Sequence, residues 1–256
     1  MSGKDDPTIS IVIGTYQRYA QIKRCIETIR QHVSVPYELV VIDGGSTDGS
    51  AEWLAEQPDV RLHLEQERAG CCRAYDLGFR MTTAPFVCWL NDDAYPLAGT
   101  IEHGLDIFAR ADMTDLGLLA CYHTHTDHWN ELDGFDHDGR RWGVLHVRGY
   151  PYANFGLLRR GLLAEVDFLD TGYKFCAWDP DLALKIQLNA GLKVLSSRRA
   201  RVYHEEFHDE RKASDAQETR QHDNERLFRK WKLPPKGQFP DPRPAYRELL
   251  GERGLL

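Results

Sequence analysis

An apolar run of strand length, Ala84-Pro85-Phe86-Val87-Cys88-Trp89-Leu90, stops on Asn91-Asp92-Asp93. A buried strand that delivers carboxylates to its C-terminal edge is how an open α/β sheet builds a polar site. Hard oxygen ligands this close together suit Mg²⁺ or Mn²⁺, and such metals commonly hold substrate phosphates as well. The same residue types favour turns, so Asn91-Asp92-Asp93 read alone is also a polar turn after a strand.

The segments around this run alternate. Thr8 to Gly14 is β-branched and reads as a central strand. Ile22, Cys25, Ile26, Ile29 and Val33 fall at helical spacing, which predicts an amphipathic helix over about 20–33. Tyr37 to Ile42 is a second strand, closed by Asp43-Gly44-Gly45-Ser46-Thr47-Asp48-Gly49-Ser50, where Asp48 suits a helix cap. Val60 to Leu64 is a short strand and Gly70 to Met81 a helix. Strand and helix in turn predict an α/β fold with a mostly parallel central sheet and helices on both faces. No G-x-G-x-x-G follows the first strand, so the dinucleotide fingerprint is missing.

Further on, a helix is expected from Thr100 to about Arg110 and a strand from Leu116 to Tyr122. Residues 123–143, rich in His, Asp, Gly and Trp, read as a long functional loop. Leu145 to Arg148, Ala153 to Leu158, Val194 to Ser196 and Arg201 to His204 read as short strands. Trp178-Asp179-Pro180-Asp181 opens a helix that ends at Gly191. Past Glu205 the composition turns charged, with a polar helix at about 213–231 and five prolines over 234–244. This divides the chain into one domain, 1–204, and a tail, 205–256. Within the domain, a nucleotide-binding half (about 1–100) precedes an acceptor half (about 101–204).

A chain of 256 residues with formal net charge −7 has ample core for such a domain and no broad basic surface for nucleic acid. No apolar stretch approaches the roughly 20 residues of a membrane span. Met1 to Pro7 has no apolar signal core, and the six cysteines are scattered without a CxxC pair. Both point to a cytoplasmic protein with reduced thiols.

Four segments, in order, now resemble the family 2 glycosyltransferases of GT-A fold over about residues 8–204. They are Ile9 to Arg18 with its Thr15-Tyr16-Gln17-Arg18 ending, Val40 to Ser50, Leu90-Asn91-Asp92-Asp93 at the family's metal motif, and Asp179-Pro180-Asp181-Leu182 with Ala190-Gly191-Leu192-Lys193. The resemblance implies inverting transfer of a sugar from a nucleotide-diphosphate sugar to an acceptor hydroxyl, in polysaccharide, O-antigen or glycoconjugate synthesis. It places Thr15, Tyr16 and Arg18 near the nucleotide, and Asp43 as acceptor of a base N–H. A uracil, thymine or guanine N–H would serve, so UDP-, dTDP- and GDP-linked donors stay open.

Asp93 is then the metal ligand for Mn²⁺ or Mg²⁺, with Asn91 a neutral, weaker partner and His204 completing the metal or diphosphate site. Asp92 faces the ribose or donor sugar. Asp179 stands at the family's catalytic base, which must take the acceptor proton as the new bond forms. Asp181 is left as the helix cap. Trp178, in place of the usual Glu, would desolvate that base or stack on acceptor sugar; Trp129 and Trp142 are further acceptor platforms. The family's Arg and Asn near 75–76 are absent, and Arg73 or Arg68 is expected to reach the diphosphate instead.

Two rival readings remain. His123-Thr124-His125-Thr126-Asp127-His128 matches the H-x-H-x-D-H string of zinc hydrolases, although it follows an α/β half rather than a β-sandwich half. A GT-A domain that binds without catalysis is the other. The acceptor is carbohydrate or lipid-linked. Arg198, Arg199 and Arg201 leave peripheral contact at the inner membrane face open. Leu227, Phe228 and Trp231 offer an apolar helix face to the domain or to a second copy, as in a homodimer.

Overall fold

A computed structural model describes residues 6–125, 130–206 and 216–256. Four strands, β1 (Ile9–Thr15), β2 (Tyr37–Asp43), β3 (Val60–Leu64) and β4 (Phe86–Asn91), pair in parallel. The helices α1 (Tyr19–His32), α2 (Ser50–Ala55) and α3 (Cys71–Met81) connect them. Every residue of β1 from Ile9 to Ile13 is buried, so both faces of this half are covered. On α3, Gly78 allows the closest approach. A Cβ there would stand 2.4 Å from Val12 Cγ1, so only glycine lets the helix lie this near β1.

After β5 (Ala94–Pro96) and α4 (Thr100–Ala109) the sheet becomes mixed. It takes in β6 (Leu116–Thr124), β7 (Glu131–His137), β8 (Arg140–Val147), β9 (Tyr150–Tyr152), β10 (Gly156–Arg159) and β11 (Lys193–His204). The main path runs β3-β2-β1-β4-β10-β6-β11-β5, with β7, β8 and β9 an antiparallel meander off β6. The parallel order expected from the alternation therefore holds for the first half. In the second half β10 lies antiparallel between β4 and β6.

Most of the expected loop 123–143 is strand: β6 continues to Thr124, and β7 and β8 form a hairpin. Val194 to Ser196 and Arg201 to His204 belong to one strand, β11, whose register on β6 shifts between Ser197 and Arg201. Helix α5 (Arg160–Glu165) follows β10, and α6 (Trp178–Leu184) passes into a π-helical turn at Lys185–Asn189.

The tail carries α7 (Ala216–Trp231) and α8 (Arg243–Glu252). Leu227, Tyr246 and Leu250 are buried against the domain, so the apolar face of α7 is used within the chain. Arg198 pairs with Asp133 at 3.2 Å, and Arg201 lies 5.4 Å over the Trp142 ring. Two members of the basic cluster thus serve internal contacts. No helix among the described residues is long and apolar enough to cross a membrane.

Candidate active site

The C-terminal ends of β1 and β4 open into a cavity of about 330 Å³. Thr15 lines it from the end of β1, Tyr16 and Arg18 from the loop that follows, and Asn91, Asp92 and Asp93 from the end of β4. Trp178 and Asp179 enter from the start of α6, and His204 from the end of β11. Residues from four parts of the chain converge because their strands do. Gly14 pairs with Asn91 and Thr15 with Asp43. His204 pairs with Ala94 across β11–β5, which carries it beside Asp93.

Asp92 and Asp93 are 6% and 1% exposed, so two adjacent carboxylates are held out of water. A cation must offset them. Arg18 does so, with Nη1 donating to Asp92 Oδ1 and Asp93 Oδ2 at 2.9 Å each. The Thr15 hydroxyl donates to Asp92 Oδ2 at 2.9 Å. Burial, helped by Asp93, still raises the Asp92 carboxyl against the pull of Arg18. His204 Nε2 stands 3.3 Å from Asp93 Oδ1. Neither ring nitrogen of His204 meets hydrogen-bond geometry with a described residue.

Asp43 lies at the end of β2, fully buried, and does not itself line the cavity, although its neighbour Gly44 does. Its Oδ1 accepts from the Gly45 and Ser46 N–H groups at 3.0 and 2.7 Å. Its Oδ2 has no hydrogen-bond partner among the described residues, which is unusual for a buried carboxylate oxygen. Asp48 accepts from the Ser50 N–H and hydroxyl and from the Tyr19 N–H, tying the starts of α1 and α2 together.

Asp179 is half-buried on the cavity wall, and desolvation raises its carboxyl to about 7. Trp178 is only 5% exposed and stacks on Tyr75 at 4.7 Å. It also packs near Phe79 and Trp89. It lines the cavity beside Asp179 with little of its surface exposed. Asp181, expected as a cap, is 1% exposed and does something else. It accepts from Tyr173 Oη at 3.0 Å, Trp231 Nε1 at 2.7 Å and Lys230 Nζ at 2.9 Å, fastening α7 to α6.

Three further expectations shift. Asn91 Oδ1 accepts from Tyr75 Oη at 2.9 Å, so its oxygen is turned to α3 rather than to the Asp93–His204 pair. Arg73 lines a neighbouring cavity, whereas Arg68 lines both and covers the Tyr16 ring at 4.9 Å. Trp142 is 3% exposed inside the β7–β8 hairpin, its indole N–H donating to His137 O, and it lines neither of these two cavities. Trp129 lies outside the described residues, as do Thr126, Asp127 and His128 of the hydrolase-like string.

His123 and His125 are buried. Burial and the neighbouring His204 and His125 push His123 well below its ordinary value, which keeps it neutral. His125 Nε2 lies 3.1 Å from Glu131 Oε2. Among the described residues no group of three or more His, Cys, Asp or Glu side chains is placed to hold a metal.

Reading the sequence alone missed Tyr75, Cys71 and Arg220 in the cavity wall. Arg220 comes from α7 and lies 5.5 Å over Phe175, a juxtaposition with no local signal. Cys71 is no nucleophile, since burial pushes its thiol up to about 12.

The chain belongs to glycosyl transferase family 2, whose profile matches residues 10–163. An uncharacterised glycosyltransferase of Escherichia coli strain K12, YibD, is 32% identical over 119 residues, 44% of this chain and 33% of that one. Glycosyltransferase AglE of Haloferax volcanii is 26% identical over 106 residues, 39% of this chain and 34% of that one. The aligned part spans about a third of these curated relatives.

The mannosyltransferase PcManGT of Pyrobaculum calidifontis, solved with GDP-Man and Mn²⁺, superposes with TM-score 0.65 at 19% identity, covering 97% of this chain and 70% of that one. TarS 1–349 of S. aureus, solved with UDP-GlcNAc, gives 0.63 at 17% identity, covering 96% and 80%. The fold is therefore the GT-A glycosyltransferase fold. Asp179 and His204 lie beyond the profile's match, so geometry alone speaks for them.

Proposed function

We propose that this chain transfers a sugar, with inversion, from a nucleotide-diphosphate sugar to an acceptor hydroxyl. One observation carries the reading. A half-buried carboxylate held near neutrality, Asp179, shares a single cavity with the buried Asp92–Asp93 pair. A base and an anion-handling centre in one cavity are what an inverting displacement of a diphosphate requires. Solved neighbours that bind GDP-Man with Mn²⁺ or UDP-GlcNAc support the donor class.

In this reading Asp43 Oδ2 accepts the base N–H, and Tyr16 with Arg68 flanks the nucleotide. Arg18 offsets the charge of Asp92 and Asp93 through the 2.9 Å contacts to each. Asp179 takes the acceptor proton on the face opposite the departing diphosphate. The Asp93–His204 pair, one carboxylate and one imidazole, fits a divalent cation that completes its shell with diphosphate oxygens. Such a cation, when bound, neutralises charge on the leaving group.

Calorimetry with UDP, GDP and dTDP, each with and without Mn²⁺, tests the donor site. One nucleotide should bind, more tightly with Mn²⁺, and Asp93→Ala should abolish the Mn²⁺ increment. No binding by any nucleotide would overturn the reading. NMR of the product anomer with an active donor tests inversion.

A further inference from the structure

Beside the donor cavity lies a second one, of about 470 Å³, sharing Arg68, Gly70 and Phe175 as a common wall. Arg68, Arg73 and Lys174 line it, and among the described residues no carboxylate does. All three side chains are exposed, and Arg73 and Lys174 make no ion pair with a described residue. Several other basic residues are paired. Arg110 pairs with Asp112, Arg226 with Asp170 and Arg247 with Asp133, in a chain whose net charge is −7.

The wall between the cavities is firmly built. Asp223 of α7, fully buried, accepts the N–H groups of Phe175 and Cys176 at 2.8 and 2.9 Å and that of Lys174 at 3.1 Å. Gly70, with φ +104°, starts α3 where a Cβ would stand 3.0 Å from Lys174 O. The backbone that carries Lys174 is therefore held from two sides before any ligand arrives. Pre-placed cations without carboxylate partners are a recognition site for oxyanions. The volume suits one sugar residue with a charged substituent.

We propose that this second cavity is the acceptor site and that the acceptor carries an oxyanion, a phosphate ester or a carboxylate, close to the hydroxyl that is glycosylated. The inference rests on the transferase reading above. An acceptor seated there meets the donor cavity, which Asp179 also lines, across the Arg68–Gly70–Phe175 wall. Arg73 then serves the acceptor and Arg68 borders both substrates.

The test is binding of methyl glucoside, its 6-phosphate and methyl glucuronide, followed by calorimetry with saturating UDP and Mn²⁺ to fill the donor cavity. At least one anionic probe should bind about tenfold or more tightly than the neutral one, and the stronger of the two names the substituent. The preference should shrink at high salt. It should vanish in Arg73→Gln/Lys174→Gln, a pair of exposed changes whose folding is checked by thermal melting. In the single variant Arg73→Glu it should fall below the wild-type value. Equal binding of neutral and anionic probes, or a preference that survives the double variant, overturns the acceptor assignment and leaves the transferase reading standing. Absence of nucleotide binding removes the transferase reading and this assignment with it.

Discussion

Carboxylates in two different surroundings meet in one cavity. Asp92 receives the Thr15 hydroxyl and the Arg18 guanidinium, contacts that favour its charged form. Asp179 receives no side-chain donor among the described residues, and burial raises it to about 7. A base works only when deprotonated, so the sign follows. Transfer measured as kcat/KM should fall about tenfold per pH unit below pH 7 and level off above about pH 8. A profile flat from pH 5 to 8 would mean that the titrating base has an ordinary carboxyl and is not Asp179. At this scale the placing of Asp92, Asp93 and Asp179 in one cavity was legible because each follows or opens a regular element. The settings of Asn91, Arg73 and Trp142 were not. A neighbour far along the chain decides each: Tyr75 for Asn91, the 171–175 segment for Arg73, and the β7–β8 register with Arg201 for Trp142.

Among the elements, α7 matters most for the site. Asp223 holds the 174–176 segment, Arg220 enters the donor cavity, and Lys230 and Trp231 meet Asp181 two residues after Asp179. Magnitudes separate the anchor role of Asp181 from a cap. Asn caps a helix about as well as Asp, so a capping Asp181→Asn would cost almost nothing. As an anchor, the change removes the charge that Lys230 faces and leaves one of three buried contacts without an acceptor. It should cost about 2–4 kcal/mol. Urea unfolding reads this as a lower midpoint with unchanged slope. The sequence showed α7 only as a polar helix; its docking depends on acids placed 40–60 residues earlier, which no local pattern carries.

Across the whole molecule, the half of the sheet built from strand–helix–strand units was readable, because right-handed crossovers leave few arrangements for such a sequence. The mixed half was not, since β10 enters between β4 and β6 through pairings as distant as Arg159 with Phe86. Together the halves bring residues from the ends of β1 and β4 and the start of α6 into one cavity. That division makes binding and turnover separable. Asp179→Asn keeps the shape of the wall and removes the base. Nucleotide affinity, followed by calorimetry, should stay within about threefold of wild type while sugar transfer falls about 10²–10⁴-fold. Loss of affinity in step with turnover, or turnover at the wild-type rate, would contradict the assignment of Asp179 and the mechanism built on it.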